Sequence, residues 1–145
     1  MIKILCVGKI KEKYLVELIA DYKKRINKYH PLEIIEVNDV GSLEKEGKLL
    51  EKYINPKDYI ITLEIQGQEL TSEAFADKID KTFIHYPTIT FIIGSSLGLD
   101  DRIKQKSHYA LSFSKLTYPH GLFRGILLEQ IYRAFKIINN ETYHK

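Results

Sequence analysis

The arrangement best suited to covalent chemistry is Gly94-Ser95-Ser96-Leu97-Gly98, which follows an apolar run and matches the G-x-S-x-G pattern of a nucleophile elbow. In that reading Ser96 is the nucleophile, and Asp100 or Asp101 and then His120 follow in the chain order of a triad. The surroundings argue against it. An elbow needs a long helix packed directly behind the serine, whereas residues 100–106 are few and polar, and no glycine-rich oxyanion loop follows an earlier strand. Phosphate-loop chemistry fares worse, because the chain has neither G-x-x-x-x-G-K-[ST] nor a G-x-G-x-x-G after a strand. His30, His85, His108, His120 and His144 form no i, i+4 pair and have no cysteine partner, so no metal site is expected. His120 stands apart from the other four. It sits beside Pro119 in the polar loop Phe113-Ser114-Lys115-Leu116-Thr117-Tyr118-Pro119-His120, where an imidazole suits anion binding, proton transfer or a plain helix-start hydrogen bond.

Hydropathy periodicity defines the elements that must hold these residues. Residues 2–7 read as a buried strand closed by Gly8, and Leu15, Leu18, Ile19, Tyr22, Ile26 and Tyr29 recur at helical spacing over 12–29. A strand over 32–37 follows Pro31, and a helix over 43–54 is stopped by Asn55-Pro56. A third strand over 59–65 precedes Thr71, the N-cap of a helix carrying Phe75, Ala76, Ile79 and Phe83. Strands over 88–93 and 109–113 flank a short helix over 99–107, and a long helix over 122–138 ends the pattern. This alternation predicts an α/β fold with one open, mostly parallel sheet covered by helices on both faces. Ligands bind beyond the carboxyl ends of such strands, where both loops lie. With no internal repeat or linker, residues 1–145 are expected to form one domain. The last helix is apolar over a broad arc, which suits core packing and a subunit contact about equally.

Composition narrows the class further. The 145 residues are 44% hydrophobic and 28% charged, without an apolar run of membrane-spanning length or a signal-peptide pattern, so a soluble cytoplasmic protein is expected, with no membrane partner. Cys6, the single cysteine, lies inside an apolar strand and is read as an inert core thiol. The net charge of +3 permits a polyanionic partner without demanding one. Lys9, Lys11, Lys13, Lys23, Lys24, Arg25 and Lys28 crowd the first thirty positions, as either a solvated helix face or an RNA-facing surface.

Several strings, taken in order, carry a resemblance. Phe91-Ile92-Ile93-Gly94 with Gly98, the run from Leu111-Ser112 through His120, Arg124, Glu129-Gln130-Ile131-Tyr132-Arg133-Ala134-Phe135-Lys136 and the terminal Tyr143-His144-Lys145 resemble the RlmH family of SPOUT methyltransferases. Ile4-Leu5-Cys6-Val7-Gly8-Lys9 with Tyr14, and Ile61-Thr62-Leu63-Glu64 with Gly67, extend the resemblance over the whole chain. It implies transfer of a methyl group from S-adenosylmethionine to N3 of a pseudouridine in 23S ribosomal RNA on the assembled ribosome. It also implies a homodimer and a C-terminal trefoil knot, a rare exception to unknotted folds. Carried over by position, Leu63, Gly94, Gly98, Phe113, Ser114, Lys115, Leu116, Thr117 and Tyr118 form the cofactor pocket. Ser95 stands where the family commonly has glycine, and the segment 37–47 is shorter than usual.

For the chemistry, Arg124 is the first candidate to stabilise charge developing on the target ring, with a phosphate contact or a salt bridge as its structural alternative. His120 and His144 are candidates to take the N3 proton. The terminal Tyr143-His144-Lys145 is expected to be ordered by a partner, folding over the other subunit's pocket. The ribosome is expected to be met through Lys9 to Lys13, Arg25 and Arg133. Two other functions stay open at this point: a serine hydrolase on Ser96, and a non-catalytic ribosome-binding module of the same fold.

Overall fold

A computed structural model describing residues 1–145 shows five strands alternating with five helices. In chain order these are β1 Ile2–Val7, α1 Lys13–Ile26, β2 Leu32–Val37, α2 Leu43–Glu51, β3 Tyr59–Glu69, α3 Ser72–His85, β4 Ile89–Ile93, α4 Asp101–Lys106, β5 Tyr109–Ser112 and α5 His120–Ile138. All pairings in the sheet are parallel, and the strand order is β2-β1-β4-β3-β5.

Alternation along the strands divides the apolar residues between two cores. Ile2, Ile4 and Cys6 of β1, with Ile89, Phe91 and Ile93 of β4, join the larger core under α1, α3 and α5. Leu5 and Val7 of β1 and Ile92 of β4 point the other way, to a smaller core with Leu50 of α2 and Ile103 of α4. Burying one such side chain stabilises by about 1.5–3 kcal/mol. A slip of one residue would exchange the two sets between unequal cores, so the register is strongly fixed.

The connections follow one rule. Steps toward β2 (β1 to β2, β3 to β4) run through α1 and α3, on the side of α5, and steps toward β5 run through α2 and α4 on the other side. Reversing direction and face together preserves the hand of a crossover, so all four connections share it, as right-twisted strands require. After the edge strand β5 the chain doubles back and lays α5 against both α1 and α3. This return brings the loop after β5 over the carboxyl end of the sheet.

Several element ends differ from the sequence expectation. β3 continues to Glu69 rather than stopping at Ile65, because Leu63 and Gln68 both pair with Leu111 of β5 across a register break. α1 ends at Ile26, and the Asn27 side chain instead accepts the Leu32 backbone N–H at 2.8 Å, tying the turn to β2. α5 begins at His120, two residues early, since Pro119 as N-cap has φ −57° and its carbonyl accepts the Phe123 N–H. His120 is therefore a first-turn helix residue rather than a loop residue. Thr71 caps α3 as expected, accepting from the Ala74 N–H at 3.0 Å.

Candidate functional site

The carboxyl ends of β3, β4 and β5 enclose a cleft of about 560 Å³. Leu63 and Glu64 form the β3 wall, Gly94 to Ser96 and Gly98 the β4 wall, and Phe113, Ser114, Leu116, Thr117 and Tyr118 the wall after β5, with His120 and Phe123 of α5 closing one side. The cleft lies where two parallel-sheet loops face each other, as the alternating pattern requires.

The loop after β4 is held open by backbone rather than side chains. A Cβ on Gly94 would overlap the Gly98 carbonyl oxygen, so only glycine permits this approach. Gly98 itself has φ +91° and donates its N–H to the Ser95 carbonyl at 2.9 Å, closing a tight turn. Ser95 has no positive φ, so a serine there costs no backbone strain. Its hydroxyl donates to the carboxylate of Glu46 at 2.8 Å and accepts the Leu97 N–H at 3.2 Å. Glu46, on α2, is 2% exposed, and its other oxygen accepts the Gly41 N–H. The shortened segment between β2 and α2 thus reaches the cleft loop through one buried carboxylate.

The loop after β5 is stiffened by local bonds and aromatic contacts. The Ser112 hydroxyl donates to the Ser114 carbonyl and the Leu116 N–H donates to the Ser114 hydroxyl. Phe123 packs against both Phe113 and Tyr118, with ring centroids 5.2 and 5.7 Å apart. Leu116, 72% exposed, and Ile65, 51% exposed, leave an apolar rim on the mouth of the cleft.

Of the nine residues expected to contact a cofactor, eight line the cleft; Lys115 is exposed and does not. The three expected to act in chemistry are not brought together. His120 lines the cleft. Arg124 is 2% exposed and lies off the lining, with its guanidinium on the Glu36 carboxylate and donating to the Gly8 carbonyl at 3.1 Å, while its Nε has no partner. Within one chain the salt-bridge alternative therefore holds, because Glu36 and Gly8 at the ends of β2 and β1 take the charge first.

His144 is also remote from the cleft. Arg133 donates to its Nδ1 at 2.9 Å, so Nε2 carries the proton and donates to Glu73 at 2.6 Å. That hydrogen bond holds the Glu73 carboxyl below the usual range. The Tyr143 hydroxyl donates to Glu129 at 2.7 Å, and burial first, then this bond, pushes the phenol up. The terminal segment is thus tied down by α5 and the start of α3 of its own chain, where the sequence led to an expectation of ordering by a partner.

Ser96 and Asp100 do not assemble a triad. The Asp100 carboxylate caps α4, accepting the Arg102 N–H at 3.0 Å, and α4 has only six residues. The sequence reasoning missed Glu36, Glu46 and Lys104, whose roles depend on partners distant in the chain. It included Glu64 only within the string Ile61-Thr62-Leu63-Glu64, although an acid at the end of a buried strand is a readable signal. No group of three or more His, Cys, Asp or Glu side chains is placed to hold a metal ion, and no helix is long and apolar enough to cross a membrane.

Comparisons with known proteins bear on this site. Residues 1–144 match the family model described as "Predicted SPOUT methyltransferase". A protein of Methanococcus maripaludis is 51% identical, with 99% of each chain covered. The "Ribosomal RNA large subunit methyltransferase H" proteins of Leuconostoc citreum and Clostridium botulinum (strain Okra / Type B1) are 48% and 47% identical, again over 99% of each chain. Among solved structures, a probable methylase family protein from Haemophilus influenzae Rd KW20 superposes with a TM-score of 0.57 at 14% identity, covering 99% of this chain and 70% of that one. The SpoU methyltransferase AviRb from Streptomyces viridochromogenes, solved in complex with the cofactor AdoMet, gives a TM-score of 0.50 at 13% identity over 90% of this chain and 56% of its own. At such identities the structural likeness speaks to the fold alone.

Proposed function

The chain belongs to the SPOUT methyltransferase family, and on that premise we propose that it methylates N3 of a pseudouridine in 23S ribosomal RNA on the assembled ribosome. The methyl donor is S-adenosylmethionine, and the working form is a cytoplasmic homodimer. One observation carries this reading: a single cleft with a glycine-pinched wall and a hydroxyl-rich wall, in a chain about half identical throughout to proteins named for large-subunit ribosomal RNA methylation.

The residues present fit that cofactor. The cleft volume lies within the roughly 300–1,000 Å³ of small-molecule sites, and its lining mixes apolar side chains with close backbone, as a nucleoside with a charged tail requires. Leu63, Phe113, Leu116 and Tyr118 offer apolar surface to an adenine ring, and the backbone at Gly94, Gly98, Ser114 and Thr117 offers donors and acceptors to its edges. When bound, S-adenosylmethionine supplies a methyl group on a positively charged sulfur, open to in-line attack.

Holding donor and acceptor in near-attack geometry carries most of the acceleration. His120, alone of the three candidates on the cleft, takes the N3 proton as the acceptor nitrogen becomes nucleophilic. Arg124 acts at a distance, fixing the ends of β1 and β2 through Gly8 and Glu36, and His144 anchors the chain end. The exposed Ile65 and Leu116 are the surface that the second copy of the chain covers. The ribosome is met through lysines of the first thirty residues.

The test supplies S-adenosylmethionine labelled on its methyl group to purified ribosomes and follows label into large-subunit RNA. Label is expected to enter it with both the wild type and Ser96→Ala. Cofactor binding without transfer to ribosomes would leave a non-catalytic ribosome-binding module, and Ser96-dependent esterase activity without cofactor binding would leave a hydrolase.

A further inference from the structure

Glu64 is the one carboxylate that lines the cleft, and no catalytic or binding role described above uses it. It is the residue after Leu63 on β3, so the two side chains leave the strand on opposite faces. Leu63 packs toward the larger core and Glu64 faces α4. Just past Thr62, where the pairing of β3 with β4 stops, both border the cleft, giving it an apolar wall and an acidic wall side by side.

The carboxylate is aimed by two hydroxyls, of which that of Thr62 is buried. Thr62, 0% exposed, donates to Glu64 Oε2 at 2.6 Å, and the Ser107 hydroxyl lies 2.7 Å from that of Thr62. An ionised carboxylate has no proton to give, so Thr62 donates to Glu64, and the single Ser107 proton is shared between the Thr62 hydroxyl and the Tyr109 carbonyl, 2.9 Å away. Thr62 lies on β3 and Ser107 is the C-cap of α4, so two elements hold one side chain from beneath. The other oxygen, Oε1, has only Lys104 nearby, at 3.9 Å, which is too long for a hydrogen bond. A partly buried carboxylate fixed on one oxygen and left open on the other is an acceptor site for a ligand with hydroxyl or ammonium donors.

We infer that Glu64 accepts the ribose hydroxyls of the cofactor. This rests on the methyl-donor reading of the cleft and adds a contact that its glycines and apolar residues do not supply. A nucleoside has the same polarity as the β3 wall, with an apolar ring next to a diol, whereas the amino-acid end lies farther from the ring than the diol does. Glu64, adjacent to Leu63, matches the nearer group. Thr62 and Ser107 act as positioning residues through Glu64, and Lys104 balances the charge without displacing the ligand.

The experiment measures dissociation constants by calorimetry for wild type, Glu64→Ala, Glu64→Gln and Thr62→Val. The ligands are S-adenosylmethionine, 5′-methylthioadenosine, which lacks the amino-acid end, and the 2′,3′-dideoxy form of the latter. A hydrogen bond to a charged group sets the scale of a direct contact, about 10- to 100-fold in affinity. Glu64→Ala should weaken the first two ligands by the same factor in that range and leave the dideoxy compound unchanged, with Glu64→Gln and Thr62→Val showing smaller losses in the same pattern. A fold defect would weaken all three ligands alike, and circular dichroism with the glutamine variant identifies it. Loss confined to S-adenosylmethionine would assign Glu64 to the amino-acid end and overturn the inference, as would unchanged affinity of all variants for the two diol ligands. Wild-type protein that bound none of the three would overturn the methyl-donor reading and this inference together.

Discussion

At the scale of single residues, the chain separates groups that look reactive from groups that are placed to react. Cys6 is fully buried beside the Arg124–Glu36 pair, and burial first, offset in part by Arg124, pushes its thiol up to about 12 from an ordinary 9.0. The sign of the consequence follows by linkage. The thiol ionises near pH 9 in the unfolded chain and resists until about 12 in the folded one, so its contribution to stability is intact below pH 9 and falls as pH rises to about 12. Denaturant titrations across that window should show stability falling less steeply in Cys6→Ala than in the wild type. Equal slopes would mean that the thiol ionises normally in the fold. At pH 8 a thiol reagent should label the wild type only on unfolding. Arg124 is a different case: an arginine in the first turns of a helix near a ligand site invites a catalytic role, and its partners within the chain, Glu36 and Gly8, lie 88 and 116 residues away and were invisible in its own neighbourhood.

At the scale of elements, the cleft depends on how α2 grips the loop after β4. Ser95 and Glu46 join these two parts through one buried bond, and a buried acceptor left without its donor costs about 1–3 kcal/mol. Ser95→Ala should therefore lower stability by about that amount, read as a shifted urea midpoint with unchanged slope. It should also speed amide exchange at Leu97, whose N–H loses the Ser95 hydroxyl. A midpoint within error of the wild type would show that the loop is held by its glycine geometry alone. The order of strands and helices was legible because the strands are short apolar runs such as Ile2–Val7, whereas α1 and α5 carry a 3.6-residue period. The extension of β3 beyond Ile65 was not, since residues 66–69 are polar and become strand only by pairing with β5 across a register break. The early start of α5 was hidden for a related reason: its first turn is capped by Pro119 and has no apolar repeat of its own.

At the scale of the whole molecule, two loops separated by a helix and a strand become one site because the sheet order brings β4, β3 and β5 side by side and α5 returns across their ends. The site's location was readable from the alternation of elements, and its cofactor from the family strings around Gly94 and Phe113. Its acidic wall was not, because Thr62, Glu64 and Ser107 meet only after β3 and α4 are packed. Ile65 and Leu116 form an exposed apolar rim at its mouth. The central claim is methyl transfer to a pseudouridine, and the most direct measurement compares two ribosome preparations, one containing the modified base and one from cells unable to form it. After incubation with the protein and S-adenosylmethionine, mass spectrometry of the digested 23S ribosomal RNA should find one added methyl group, on N3 of the pseudouridine, in the first preparation and none in the second. Equal methylation of both, or of neither, would contradict the account.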